Sequence, residues 1–194
     1  MYYNIIKKNY IEKLNKKSDI NEHLPKLYDL AKKCEHITEF GVRKVVSTWA
    51  FLLGKPKSLT CYDIYKDPNV DAIEKCAKGI NCFFKFVTAD TRNITIEKTD
   101  LLFIDTAHTY LQISKELELH GNKSRKYIVM HDTTLFGYTD EERYLEIEKK
   151  NPEYKDEGHG IVLAILNFMD LYPNWKIIYQ VDFCNGLTVL SRVE

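Results

Sequence analysis

The chain has 194 residues with 28 basic and 28 acidic side chains, so its formal net charge is zero. That balance excludes a bulk electrostatic case for nucleic acid or an anionic membrane, and the length suits one domain, residues 1–194, with a sizeable core. The five cysteines (Cys34, Cys61, Cys76, Cys82, Cys184) are odd in number, lack C-x-x-C spacing and fall mostly in apolar runs. Reduced, packed thiols in a cytoplasmic protein are therefore expected rather than a disulfide frame. The start Met1-Tyr-Tyr-Asn4 does not read as a signal peptide, and no apolar stretch approaches a membrane span.

In chain order, residues 2–15 carry Tyr3, Ile6, Tyr10, Ile11 and Leu14 at helical spacing, with Lys7, Lys8, Lys13, Lys16 and Lys17 as the wet face. Asp19 to Pro25 caps a second helix whose inner face is Leu24, Leu27, Leu30 and Ala31, so residues 1–34 form an N-terminal helical part. A strand then ends at Glu39, Gly41 turns the chain, and a helix opens with Ser47-Thr48 and closes at Gly54. Such a βα junction offers free backbone N–H groups and a positive helix end to a ligand. Gly41 suits a sharp bend or a close backbone approach. Arg43 and Val46 stand where a dinucleotide fingerprint has its second and third glycines.

Leu59–Asp63 reads as a second strand ending in an acid, residues 70–78 as a short helix, and Cys82–Val87 as a third strand followed by Thr88-Ala-Asp90. The run Asp100-Leu-Leu-Phe-Ile-Asp105 is almost wholly apolar, as for a strand covered on both faces. A helix over 109–120 stopped by Gly121 leads to the buried strand Tyr127–His131 and Asp132. Residues 133–157 are polar, charged and aromatic (Phe136, Tyr138, Tyr144, Tyr154), which suggests a lid-like insertion that contacts a ligand or packs the loop down. His159, between Gly158 and Gly160, suits the start of a helix over 160–171. The tail, 175–182 and 187–190, is two strands around the hairpin dipeptide Asn185-Gly186.

Strands alternating with helices predict an α/β fold: three layers, α/β/α, around a mostly parallel seven-stranded sheet that closes with an antiparallel hairpin. Polar residues gather where successive strands end: Glu39, Asp63, Asp90, Asp105, His131 and Asp132. Ligands of open α/β sheets bind outside those ends, where strand order reverses.

A strand ending Glu39-Phe-Gly41, a second ending in Asp63, a fourth reading Phe103-Ile-Asp-x-x-His-x-Tyr110 and a fifth ending His131-Asp132 together resemble the class I S-adenosylmethionine-dependent methyltransferases. The pattern is closest to their small-molecule and sugar O-methyltransferase branch, which includes cephalosporin-hydroxylase-like proteins, and it runs over residues 19–192. NAD-binding Rossmann domains usually lack the closing hairpin. The resemblance implies a Rossmann-like methyltransferase fold, S-adenosylmethionine as cofactor, and methylation of oxygen on a small molecule or glycan. With the balanced charge and no apolar span, no nucleic-acid or membrane partner is expected, and a homodimer stays open.

Carried over by position, Glu39 and Gly41 fall beside the methionine part of the cofactor, with Arg43, Ser47 and Thr48 in the loop and first helical turn that follow. Asp63 falls on the acid that takes both ribose hydroxyls. Asp90 falls near adenine, and Asp105 near the methyl group and acceptor. Val45 and Val46 leave this loop less room than the family's glycines do.

Methyl transfer needs in-line positioning and a deprotonated acceptor. His108 and His131 are candidate general bases beside Asp105 and Asp132. Asp105, His131 and Asp132 form an alternative set for Mg2+ or Mn2+, which would lower an acceptor hydroxyl's pKa. In metal-dependent members of the branch, an acid after the fourth strand joins two after the fifth; here His131 replaces one. Two rival readings remain at this stage: a binding or scaffold protein that keeps the fold, and an NAD-dependent or nucleotide-sugar oxidoreductase.

Overall fold

The computed structural model describes residues 1–150 and 156–193. Its seven strands are β1 (His36–Phe40), β2 (Ser58–Asp63), β3 (Phe83–Thr88), β4 (Thr99–Ile104), β5 (Ser124–His131), β6 (Trp175–Val181) and β7 (Leu187–Arg192). The helices are α1 (Tyr2–Asn15), α2 (Leu24–Ala31), α3 (Val46–Leu53), α4 (Val70–Lys78), α5 (Tyr110–His120), α6 (Glu142–Glu148) and α7 (Ile161–Leu171). The sheet order is β3-β2-β1-β4-β5-β7-β6. β1 to β5 pair in parallel, while β7 runs antiparallel to both β5 and β6. Strand order therefore reverses between β1 and β4, and the crevice expected of an open sheet lies there.

Period-two alternation divides the core into two layers. Leu101 and Phe103 of β4 turn toward α1 to α4, with Ile37, Leu59 and Cys61. Leu102 and Ile104 turn to the opposite face, against Ile113 and Leu117 of α5 and Ala164, Ile165 and Phe168 of α7. β4 is buried throughout, which is why its sequence shows no polar alternation. The link from β3 to β4 carries only a 3-10 turn at Thr91–Asn93 and leaves one face of β1 to β3 less covered. All five cysteines are free thiols. No helix among the described residues is long and apolar enough to cross a membrane.

Several local expectations change. Ile11 is 43% exposed, and Ile6 and Tyr10 alone are buried along α1. α3 opens one residue earlier than Ser47, behind an N-cap Val45 with no side-chain cap. Gly121 does not stop α5 in a left-handed cap: its φ is −52° and the chain continues as a 3-10 turn to Lys123. β5 starts at Ser124, before the apolar run, because Ser124 is buried and bonds back to the carbonyls of Asp100 and Tyr127. The β6–β7 link spans residues 182–186, and Cys184, Asn185 and Gly186 all have positive φ. His159 is not a helix cap; Gly160 precedes α7, and His159 pairs with Asp140 and Asp156. Tyr154 lies outside the described residues.

Candidate active site

The carboxyl ends of β1 and β4 are sewn together at the switch point. Asp105 N donates to the Phe40 carbonyl at 2.9 Å. A Cβ at Gly41 would collide with the Asp105 carbonyl, and the φ of Gly41 is +78°. Gly41 is thus required by an approach of backbone to backbone.

On the β1–β3 side, each predicted acid has partners close by. Glu39 is fully buried: Ser47 Oγ donates to one oxygen at 2.5 Å and Cys61 Sγ to the other at 3.1 Å. Burial raises its pKa to about 7 against those hydrogen bonds. Ser47 and Thr48 are 4% and 0% exposed, so they sit in the packing of α3 rather than on the crevice. Asp63 Oδ2 accepts from the main-chain N–H groups of Val42 (2.7 Å) and Arg43 (3.0 Å), and Oδ1 accepts from Tyr65 N (3.0 Å). Arg43 and Val45 have φ of 42° and 55°. That conformation is costly for β-branched Val45, and Asp63 offsets it by anchoring the turn. The Arg43 side chain pairs with Asp19 at 2.6 Å. Asp90 accepts from Arg92 N at 2.9 Å and pairs with its guanidinium, which holds its pKa below the ordinary value.

On the β4–β5 side the groups face one another. His131 Nδ1 lies 3.3 Å from Asp105 Oδ1 and 3.1 Å from Asp132 Oδ2. His108 Nε2 reaches the same two oxygens at 3.3 and 2.8 Å. His108 Nδ1 meets Glu141 Oε2 at 2.7 Å, and Phe136 stacks on the ring. The other nitrogen of His131 contacts the carbonyls of Asp19 (2.9 Å) and Cys184 (3.1 Å). Carbonyls only accept, so that nitrogen carries a hydrogen, and Nδ1 can bond the carboxylate oxygens only as a second N–H donor, in the imidazolium form. Asp132 has φ +58°, and its Oδ1 is buried with no partner among the described residues.

Three carboxylates and two imidazoles share this space, and their charges set one another. Burial disfavours the imidazolium, yet Asp105 and Asp132 raise His108 to about 10 and His131 well above its ordinary value. Burial likewise raises carboxyl pKa, but the charge of His131 and hydrogen bonds from both rings hold Asp105 down to about 2, and Asp132 is lowered too. Without a metal, protons on the two imidazoles stand in for positive charge between the acids.

The structure brings Asp105, His108, His131 and Asp132 together as one group. Sequence reading passed over Glu141, one acid in the run Asp140-Glu-Glu142, and His23. His23 is 1% exposed, its Nε2 shares the Cys184 carbonyl at 3.0 Å, and its ring packs edge-on against His131. No spacing rule marks either: His23 ends a 3-10 turn before α2 and Glu141 sits at the start of α6, each far in sequence from its imidazole partner. A hollow of about 410 Å3, lined by His36, Thr60, Lys85 and Arg125, opens on the sheet face away from this cluster.

No protein-family model and no curated protein sequence matches the chain. Solved structures do match in fold. The SAH-bound Podospora anserina methyltransferase PaMTH1 aligns at TM-score 0.58 and 15% identity, over 97% of this chain and 88% of that one. The O-methyltransferase from Bacillus cereus in complex with SAH aligns at 0.57 and 16%, over 100% and 90%. The SAM-bound O-methyltransferase TomG from Streptomyces achromogenes aligns at 0.56 and 14%, over 90% and 81%. The fold is that of the class I methyltransferases.

Proposed function

We propose that the chain is an S-adenosylmethionine-dependent methyltransferase acting on a hydroxyl of a small molecule. One observation carries this reading: the order β3-β2-β1-β4-β5-β7-β6, with β7 antiparallel, puts Asp63, Asp105 and Asp132 around a single switch-point crevice. The antiparallel β7 also weighs against an NAD-dependent oxidoreductase. A glycan acceptor and a homodimer stay within the proposal as narrower versions of it.

The crevice fits the cofactor in a form altered from the family pattern. Asp63 already accepts three N–H groups, and a carboxylate has about four acceptor positions, so it takes one ribose hydroxyl unless an amide lets go. Asp90 stands at the adenine end with Arg92. Arg43, paired with Asp19, would be the cation available to a methionine carboxylate, and Gly41 keeps the crevice floor free of a side chain. Glu39, Ser47 and Thr48 support the floor from beneath.

A divalent cation fits Asp105, His131 and Asp132, each of which offers one ligand atom within 4.8 Å of the others. The favouring observation is the orphaned Asp132 Oδ1, joined by the carbonyl-bound far nitrogen of His131, the usual way a ligating imidazole is oriented. When bound, the cofactor supplies a methyl group on a sulfonium, and Mg2+ or Mn2+ supplies charge that favours an ionised hydroxyl. The chain's own residues orient the acceptor: Asp132 Oδ1, buried with no partner among the described residues, can accept a hydrogen bond from its hydroxyl, and His108 lies under the ring of Phe136.

Calorimetry of the full chain with S-adenosylhomocysteine, S-adenosylmethionine and NAD tests the reading. The two adenosyl compounds bind, and NAD gives no heat at concentrations that saturate them. Failure of both to bind overturns the assignment.

A further inference from the structure

Three consecutive residues at the β4–α5 junction each hold one acid of the excursion between β5 and α7. His108 Nδ1 meets Glu141, Thr109 Oγ1 donates to Glu148 at 2.7 Å, and Tyr110 N donates to Asp140 at 2.7 Å. Acids on a polar excursion ordinarily stay in water. These three side chains are only 15%, 9% and 3% exposed for Glu141, Glu148 and Asp140. Their burial shows a segment docked at one place.

Glu141 differs from the other two in what it touches. Its main-chain N–H donates to the His108 carbonyl at 2.9 Å, so Glu141 grips both the backbone and the ring of that residue. Phe136, from the same excursion, stacks on the ring at 5.0 Å between centroids and 5° between planes. With one nitrogen and one face taken, the remaining nitrogen of His108 is aimed at Asp132 Oδ2 and Asp105 Oδ1. Those are the two oxygens that His131 Nδ1 also contacts. Asp140, by contrast, serves the N–H groups of Tyr110 and Gly160 and the exposed His159 among the described residues.

We propose that Glu141 is a positioning residue: it pins the His108 ring over Asp105 and Asp132, and through that ring the excursion governs how readily a divalent cation reaches those carboxylates. The second half rests on the cation reading given under Proposed function. A ring nitrogen resting on an oxygen competes with any cation for that oxygen, so releasing the ring opens the set. Asp140 staples the excursion without touching the ring and is the control.

The test uses the 15N-labelled full chain, with Mn2+ as the cation. Ring-nitrogen NMR follows His108, and electron paramagnetic resonance measures Mn2+ affinity. Glu141→Ala shifts the His108 ring resonances and raises Mn2+ affinity by about tenfold, the scale on which partners of metal ligands act. Glu141→Gln still offers a carbonyl to the ring and stays nearer the wild type. Asp140→Asn leaves Mn2+ affinity within about twofold, below that scale. S-adenosylhomocysteine binding and a thermal melt confirm that each variant is folded. Equal effects of Glu141→Ala and Asp140→Asn, or unchanged Mn2+ affinity in Glu141→Ala, overturn the gating proposal. If neither wild type nor any variant binds Mn2+, the cation reading fails and gating falls with it. Positioning is then decided by NMR, and unmoved His108 resonances in Glu141→Ala overturn it.

Discussion

The two sides of the crevice use the same residue type in opposite ways. Around β1 to β3, Glu39, Asp63 and Asp90 each close a local structure: a buried triple with Ser47 and Cys61, a strained turn, and a 3-10 cap with Arg92. Around β4 and β5, Asp105 and Asp132 face the rings of His108 and His131, Glu141 holds His108 with one oxygen and Arg143 with the other, and Asp132 Oδ1 has no partner among the described residues. Like charges gathered in a buried site are costly unless a cation or proton lies between them. Acids of the first kind hold the floor of the crevice. Under the proposed function, those of the second kind are the ones that do chemistry.

Substitution separates the two kinds. Asp132→Asn keeps the side-chain shape, and asparagine tolerates the left-handed backbone at +58°. Mn2+ affinity, read by electron paramagnetic resonance, falls at least about a hundredfold, about 2.7 kcal/mol. S-adenosylhomocysteine affinity stays within about twofold, well under 1 kcal/mol. Wild-type Mn2+ binding in this variant would move the cation to another place.

Glu39 reports on the floor through pH. Its folded pKa of about 7 lies above the ordinary 4.5, so between those values the folded chain holds a proton that the unfolded chain has lost. The stability this gives is complete below about pH 4.5 and disappears as pH rises through 7. Chemical denaturation at a series of pH values should show a loss of about 1–3 kcal/mol across that window, and Glu39→Gln should flatten it. Glu116, raised to about 7 by its own burial, leaves a residual slope of the same sign. His108 acts in another window: its stabilisation is complete below 6.5 and is lost toward about 10. A slope below pH 7 that Glu39→Gln leaves untouched would show the buried carboxyl to be ionised.

The smallest expected effect falls where the two roles overlap. Asp63→Ala removes the acceptor of the Val42 and Arg43 amides together with the proposed ribose contact, and should weaken S-adenosylhomocysteine binding by more than about tenfold, about 1.4 kcal/mol. Calorimetry on the variant decides it. Unchanged affinity would leave Asp63 as an anchor for the turn and nothing more.

Hydrophobic patterning was enough to reveal seven strands, most of the helices between them and the acids at the strand ends, because periodicity and turn residues are local properties of a chain. It did not reveal which way those acids point. Glu39 and Asp105 each end an apolar strand in sequence, yet one is sealed beneath α3 and the other opens onto His131. The direction depends on Gly41 pressing against the Asp105 carbonyl and on which neighbours supply donors, Ser47 of α3 and Cys61 of β2 for Glu39 and the rings of His108 and His131 for Asp105. His23 and Glu141 come from the N-terminal segment and the excursion, 108 and 33 positions from their imidazole partners His131 and His108. Contacts over such distances carry no sequence period, so only the folded chain could bring them to the site.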